Sequence, residues 1–267
     1  MQFSTPVDIP VAPWSLAYTD RLLMLGSCFT DYMAGIMQRY FFNVTSNPLG
    51  TLYNPVSIAR HIPDLMKDNT VVFITFGTAW VYIDKHLAVD NDLQAVVDNC
   101  QKRPASDFIR RRLSMDEIVA LWQPLLRAYP DRRFVFTVSP IRHLKDGLHE
   151  NQLSKSTLLL AVEQLTASEH NVIYFPSYEI MMDELRDYRF YAADMMHPSD
   201  TAIEYIWERF AHTFISFPSV QKEMQVLHQL WLDLHHRPLH PDTEETRTFQ
   251  AQLRLRQDNL RRQYPWI

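Results

Sequence analysis

Five short apolar runs, each closed by turn residues and separated from the next by segments of helical spacing, constrain this chain more than any other feature. They are Arg21 to Leu25, Phe41 to Thr45, Val71 to Phe76, Phe134 to Val138 and Val172 to Phe175. Runs of this length and content read as buried strands. Between and after them, apolar residues recur at helical spacing, first at Phe29, Met33, Ile36, Met37 and Tyr40, then at Ile118, Leu121, Trp122, Leu125 and Leu126. Strands alternating with helices predict a parallel sheet covered on both faces. In such a sheet ligands bind at the carboxyl edge of the strands.

Local signals mark several boundaries. Ser114 and Glu117 form an S-x-x-E capping box, in which each side chain satisfies a free backbone N–H at a helix start. Asn54-Pro55 predicts another helix, with proline at a first-turn position that needs no donor. Ile83 to Arg112, mixed in charge, break the alternation and are expected to form an insertion (83–112), a hairpin with a loop lying over the site. Ile203, Ile206, Trp207, Phe210 and Phe214 form the last core helix. Residues 217–267 exceed what a five-strand core requires and read as helical, with Val220, Met224, Leu227, Trp231 and Leu234 on one face. The organisation expected is one domain over 1–216 with a helical C-terminal extension. That extension is either a packing arm on the same domain or the arm of a homodimer. No second domain is needed, because 267 residues with 46% hydrophobic and 12% aromatic content suffice for a single full core.

Charge and cysteine usage exclude several classes. Lys and Arg number 26 against 31 Asp and Glu, a net charge of −5 that offers polyanions no attraction, so nucleic acid is not an expected partner. Nor is a membrane, since no apolar stretch approaches the roughly 20 residues that span a bilayer. The residues from Met1 to Trp14 show neither a basic segment nor the apolar run of a secretory signal. Two cysteines, Cys28 and Cys100, cannot build a disulfide framework, and no Cys/His spacing marks a zinc site. These features together predict a cytoplasmic protein.

The chain has only five glycines, so each is expected where a side chain does not fit. Gly26 closes the first strand in Leu25-Gly26-Ser27-Cys28-Phe29 and is followed at once by a helical pattern. Ser27 therefore sits at the carboxyl edge, at a helix N-terminus that favours anions. The structural alternative is an ordinary N-cap. Asp194-Met195-Met196-His197-Pro198 precedes the last core helix, and its spacing lets a carboxylate accept the Nδ1 proton of an imidazole whose Nε2 stays outward. The alternative there is a structural histidine. A serine on the first strand-to-helix turn and an Asp/His pair on the last loop converge at one sheet edge, which satisfies the nucleophile, base and orienter requirement.

With these blocks in place the chain resembles the GSCFA family, a branch related to the SGNH (GDSL-like) hydrolases. The name matches Gly26-Ser27-Cys28-Phe29, with Thr30 where the name has alanine. Further blocks follow in order: Asn47-Pro48-Leu49-Gly50, Phe76-Gly77-Thr78-Ala79-Trp80, Ser139-Pro140-Ile141-Arg142-His143 and Asp194-Met195-Met196-His197-Pro198. The resemblance covers roughly residues 20 to 215. It implies a catalytic set of Ser27, Asp194 and His197, with Ser27 and Gly50 backbone N–H groups in the oxyanion hole. The block asparagine of SGNH enzymes is missing, since Thr78 follows Gly77, and Thr78 is the candidate third donor, through its hydroxyl or its N–H. Losing one oxyanion donor typically costs about 10²–10³ in kcat. Arg142 is the candidate contact for an anionic or carbohydrate part of the substrate, against a plain surface ion pair.

Two rivals are weaker. Cys28 is intrinsically the better nucleophile, but one residue into the helix it is expected to turn away. His235, His236 and His240 cluster in the polar tail without a matching carboxylate pattern, which favours solvated histidines over a metal site. The expectation is a flavodoxin-like α/β/α sandwich of SGNH type with strand order 2-1-3-4-5. The function implied is hydrolysis of small acyl esters, O-acetyl on carbohydrate the natural case, with no cofactor. The opposing expectation is a carbohydrate-binding or scaffold module that keeps the fold without turnover.

Overall fold

The computed structural model describes residues 4–68, 70–87, 92–98 and 103–267. Cys100 and parts of the expected 83–112 insertion lie outside the described residues. The first run forms β1 (Leu22–Gly26), then come α1 (Cys28–Arg39), β2 (Val44–Ser46), α2 (Pro55–Leu65) and β3 (Val71–Phe76). Strands β4 (Trp80–Asp84) and β5 (Phe108–Arg112) enclose the insertion and pair antiparallel as a separate two-stranded sheet. There follow α3 (Met115–Ala128), β6 (Arg133–Val138), α4 (Leu148–Ser168), β7 (Val172–Tyr174) and a single turn α5 (Ser177–Glu179) that runs into a π-helical turn. The chain ends in α6 (Asp200–Phe214), α7 (Pro218–His235) and α8 (Glu244–Gln263).

The main sheet is wholly parallel, in the order β2-β1-β3-β6-β7. Each of the five apolar runs supplies a strand, although in the second only Val44 and Thr45 do so and Phe41, at φ +57°, turns; the order is the 2-1-3-4-5 of a flavodoxin-like sandwich. Alternate strand residues feed two cores. Leu22, Met24, Val71, Phe73 and Val135 pack with α1 and α6, while Leu23, Leu25, Val72, Ile74 and Phe136 pack with α2, α3 and α4. That double burial is why the strands are continuously apolar. On the second face the rings of Phe76, Trp122 and Phe136 meet edge to face at 5.0 to 5.3 Å. Truncating any of the three removes roughly 3–5 kcal/mol of core packing.

The capping box at Ser114 is formed with both of its hydrogen bonds, and Asn54 caps α2 through Ser57 N with Pro55 at the first turn. On the extension, Val220, Leu227 and Leu230 of α7 are buried, and Val220 and Leu227 join the core that contains α1 and α6. Beyond α8, Tyr264 is buried and donates to Glu223 at 2.7 Å, and Trp266 Nε1 donates to the Phe41 carbonyl at 2.8 Å. Val220, Leu227 and Tyr264 thus share one apolar cluster with residues of α1 and α6. No helix among the described residues is long and apolar enough to cross a membrane.

Candidate active site

At the end of β1, Gly26 has φ +139°, and a Cβ there would lie 2.1 Å from the Thr75 carbonyl oxygen of β3. Only glycine lets the two strands run this close into the turn. Ser27 follows as the N-cap of α1, its Oγ accepting from Phe29 N at 3.3 Å. The same hydroxyl donates to Ser139 Oγ at 2.9 Å, just past β6, and Ser27 is only 1% exposed. The glycine expectation holds again at Gly77, where an added Cβ would sit 3.0 Å from the Tyr53 carbonyl oxygen and 3.3 Å from Ser27 Cβ. It fails at Gly35, which has open space within α1.

The second block works differently from its expected role. Asn47 Oδ1 accepts from Gly26 N at 2.9 Å and its Nδ2 donates to Asp31 at 2.9 Å, so the side chain ties β1's last residue to α1. Gly50, at φ +84°, donates its N–H to the Asn47 carbonyl at 2.8 Å to close a turn; it is exposed and lies outside the cavity that Ser27 lines. Its N–H is therefore not aimed at the serine in this structure. Thr78 does line the cavity, but its N–H donates to the Tyr53 carbonyl at 2.9 Å. Its hydroxyl meets Ser154 Oγ at 3.0 Å and accepts from Trp80 N at 3.1 Å. The Ser27 N–H reaches the Thr75 carbonyl at a long 3.3 Å.

The Asp194 to His197 loop builds itself locally. Asp194 Oδ1 accepts from Met196 N at 2.9 Å and His197 N at 3.0 Å, while Oδ2 lies 2.6 Å from His197 Nδ1. An acceptor-only carboxylate fixes the proton on Nδ1 and leaves Nε2 as the acceptor. The N–H groups of His197 and Met196, and then the His197 ring, hold the Asp194 carboxyl well down, at about 2. Met195 sits at φ +58°, a left-handed conformation that a non-glycine residue adopts only when its surroundings impose it. Outside contacts are few: Arg142 N donates to the Met196 carbonyl at 3.2 Å, and Tyr32 of α1 meets the His197 ring edge at 6.4 Å between centroids.

Ser27 and His197 line one cavity of about 420 Å³. Ser27 Oγ is turned toward Ser139, and no hydrogen bond joins it to His197. A larger hollow of about 1420 Å³ lies beside α6, lined by Glu179, Asp183, Asp200 and Glu204 among others. Its lining pairs the Tyr205 hydroxyl with the Glu184 carboxylate but has no histidine to serve a serine, so size does not make it the site of a serine and histidine pair. In the smaller cavity Trp80 and Tyr82 of β4, with Val97 and Asp98, bring the inserted segment into the wall. Cys28 also lines it, with Sγ 3.5 Å from the Tyr53 hydroxyl, so it does not turn away as expected; the cavity extends along the first turn of α1 toward Tyr53.

Arg142 is half-buried at the cavity wall, its guanidinium over the Tyr191 ring at 4.1 Å and the Tyr188 ring at 5.3 Å. Among the described residues it has no carboxylate partner, which removes the surface ion pair. His143 lines the same cavity with its Nε2 buried and unpartnered. Burial, and then the Lys155 charge, push its pKa down to about 4, so the ring is neutral near pH 7. In the tail, His235 stacks on Trp231 at 4.1 Å and His236 meets the Phe249 ring edge-on. No group of three metal-ligating side chains occurs among the described residues.

Sequence reasoning missed Lys155 and gave Ser139, the first residue of a motif block, no role of its own. Lys155 occupies the buried stripe of α4 with Asn151, Ser154, Leu158, Val162 and Leu165, and a lysine in phase with such a stripe is the signal that marks it.

The model of the GSCFA family matches residues 21–71 and 62–210. No curated protein is similar enough to the chain to count as a match. Among solved structures, a catalytic mutant of Axe2, an acetylxylan esterase from Geobacillus stearothermophilus, is similar with a TM-score of 0.48 and 11% identity over 77% of this chain and 98% of that one. Unmutated Axe2 gives a TM-score of 0.45 and 14% identity over 78% of this chain and 97% of its own.

Proposed function

Because the chain belongs to the GSCFA family, whose model matches well over half of it, we propose that it is a serine esterase of SGNH type acting on small acyl esters, O-acetyl groups on carbohydrate among them. The observation that carries this reading is the sharing of one cavity by Ser27, at the N-terminus of α1, and His197, oriented by Asp194. In the reaction Ser27 Oγ rotates from Ser139 toward His197 and attacks the ester carbonyl carbon as Nε2 accepts its proton. The tetrahedral oxyanion collapses, expelling the alcohol, which takes the proton back from His197. Water, deprotonated by the same nitrogen, then releases the acid and restores Ser27.

With Gly50 and Thr78 engaged elsewhere, and the Phe29 and Thr30 N–H groups held by Ser27 itself, the oxyanion is assigned to the Cys28 N–H at the head of α1, where the helix dipole favours negative charge. Arg142, without a carboxylate partner and stacked on two tyrosines, is the proposed contact for an anionic or hydroxyl-bearing alcohol portion. The proposed place of action is the cytoplasm.

A second reading, a carbohydrate-binding module without turnover, draws on the near-complete burial of Ser27 and its bond to Ser139. Fluorophosphonate labelling separates the two. Stoichiometric modification that disappears in Ser27→Ala is the expected result; a folded wild-type protein that stays unlabelled rejects the esterase.

A further inference from the structure

Lys155 is only 1% exposed, yet it has no carboxylate partner among the described residues. Its Nζ donates to two carbonyl oxygens, those of Gly77 and Ser139, each at 2.7 Å. Gly77 follows β3 and Ser139 follows β6, the two strands that share the longest register in the sheet, so one ammonium spans their carboxyl ends. Both residues touch the nucleophile. The Ser139 hydroxyl receives the Ser27 proton, and the Gly77 backbone lies where an added Cβ would be 3.3 Å from Ser27 Cβ. Ser139 Oγ also accepts from Ile141 N at 3.3 Å, at the head of the segment that carries Arg142 and His143.

We infer that Lys155 is a positioning residue for Ser27, its ammonium clamping the Gly77 and Ser139 carbonyls so that the floor beneath the nucleophile keeps one geometry. The inference rests on the esterase reading for its catalytic consequence, but the clamp itself is a separate physical claim. A buried ammonium without a counter-charge is costly, and an apolar side chain of the same length would stabilise a purely structural position better. Burial drives the Lys155 pKa down to about 7. Strongly perturbed groups next to a cleft are where functional residues concentrate.

The titratable groups around it do not cover that range. His143, from the loop after β6, is held down at about 4, and Tyr178 of α5, whose ring centre lies 5.9 Å from Nζ, is raised above the ordinary phenol value by burial. Cys28 also carries a free thiol in the cavity beside Ser27, so a change between about pH 7 and about pH 10 is assigned to Lys155 where it persists in Cys28→Ser.

The test compares wild type, Lys155→Met and Lys155→Gln, using p-nitrophenyl acetate turnover and amide hydrogen exchange at Ser139 and Ile141. In folded K155M the expected result is a fall in kcat of about 10- to 100-fold with KM within about twofold, and at least tenfold faster exchange at the two amides. K155Q, which keeps donors but not the charge, is expected to fall between. Unchanged exchange in folded K155M overturns the clamp, and unchanged kcat overturns its role in turnover.

Should neither variant fold, Cys28→Ser with Lys155 intact decides. Its kcat declines through a single ionisation on the alkaline side of neutrality, and a flat profile over that range rejects the inference. If wild type neither turns over nor labels at Ser27, the esterase reading fails, while faster exchange in K155M still upholds the clamp.

Discussion

The two halves of the candidate site are built in opposite ways. Ser27 is held from far along the chain: Asn47 fixes the residue before it, Thr75 and Gly77 of the β3 end press against its turn, and Ser139 past β6 takes its proton. The His197 loop is held from within, by a carboxylate three residues away that organises two backbone N–H groups and the imidazole. The serine is almost fully buried, whereas the Asp194 side chain is 40% exposed. Placement of the proposed nucleophile is thus a property of the sheet, and placement of the proposed base a property of one turn. Motion that closes the gap between them is expected in the loop, where few outside contacts resist it.

The sharpest way to break this comparison is to remove the groups themselves. Ser27→Ala and His197→Ala are each expected to lower kcat by about 10⁴ to 10⁶ while leaving the unfolding midpoint nearly unchanged, as steady-state kinetics and thermal melts would show. Asp194→Asn comes next, with a loss of about 10³ to 10⁴ in kcat, because the amide both favours the wrong tautomer and weakens the turn.

Acid should separate the two halves further. The folded pKa of Asp194, at about 2, lies below the ordinary carboxylate value, so its stabilisation is present above that ordinary value and is lost as pH falls through the folded one. Intrinsically corrected hydrogen exchange is expected to rise at Met196 and His197 before it rises at Gly26 and Ser27. Simultaneous loss would erase the distinction.

Gly26→Ala attacks the sheet side. With Cβ forced onto the Thr75 carbonyl at φ +139°, it is expected to destabilise the fold by about 4 kcal/mol or more in urea titration. Gly50→Ala has the smallest expected effect. Its positive φ makes alanine unfavourable by about 1–2 kcal/mol, but the turn is open and remote from Ser27, so kcat should change less than about threefold. A tenfold fall would return the Gly50 N–H to the oxyanion hole.

Much of the site's cast was legible in the residues, because adjacency in sequence decides it. Asp194 and His197 are three apart, and their contact needs only a turn. Ser27 at the head of α1 follows from a glycine, a cap residue and a helical pattern. The roles of Gly50 and Thr78 were not legible, since whether an N–H is free depends on which carbonyl the fold brings to it; here the Asn47 and Tyr53 carbonyls took them. Cys28 went astray for the same reason, because the extent of the cavity along α1 is set by neighbours distant in the chain. Lys155 carried a sequence signal, a charge in phase with an apolar stripe, but its partners lie at positions 77 and 139.

Periodicity alone determined that this chain makes a parallel sheet buried on both faces, because apolar side chains repeating at two spacings leave few ways to leave water; the strand order was implied by the family resemblance. Which hydroxyl Ser27 faces, which backbone donors remain to be used and what sits beneath the nucleophile were decided only when the strand ends were brought together. Hydrogen bonds between such ends depend on distances of a few tenths of an ångström that no local pattern encodes.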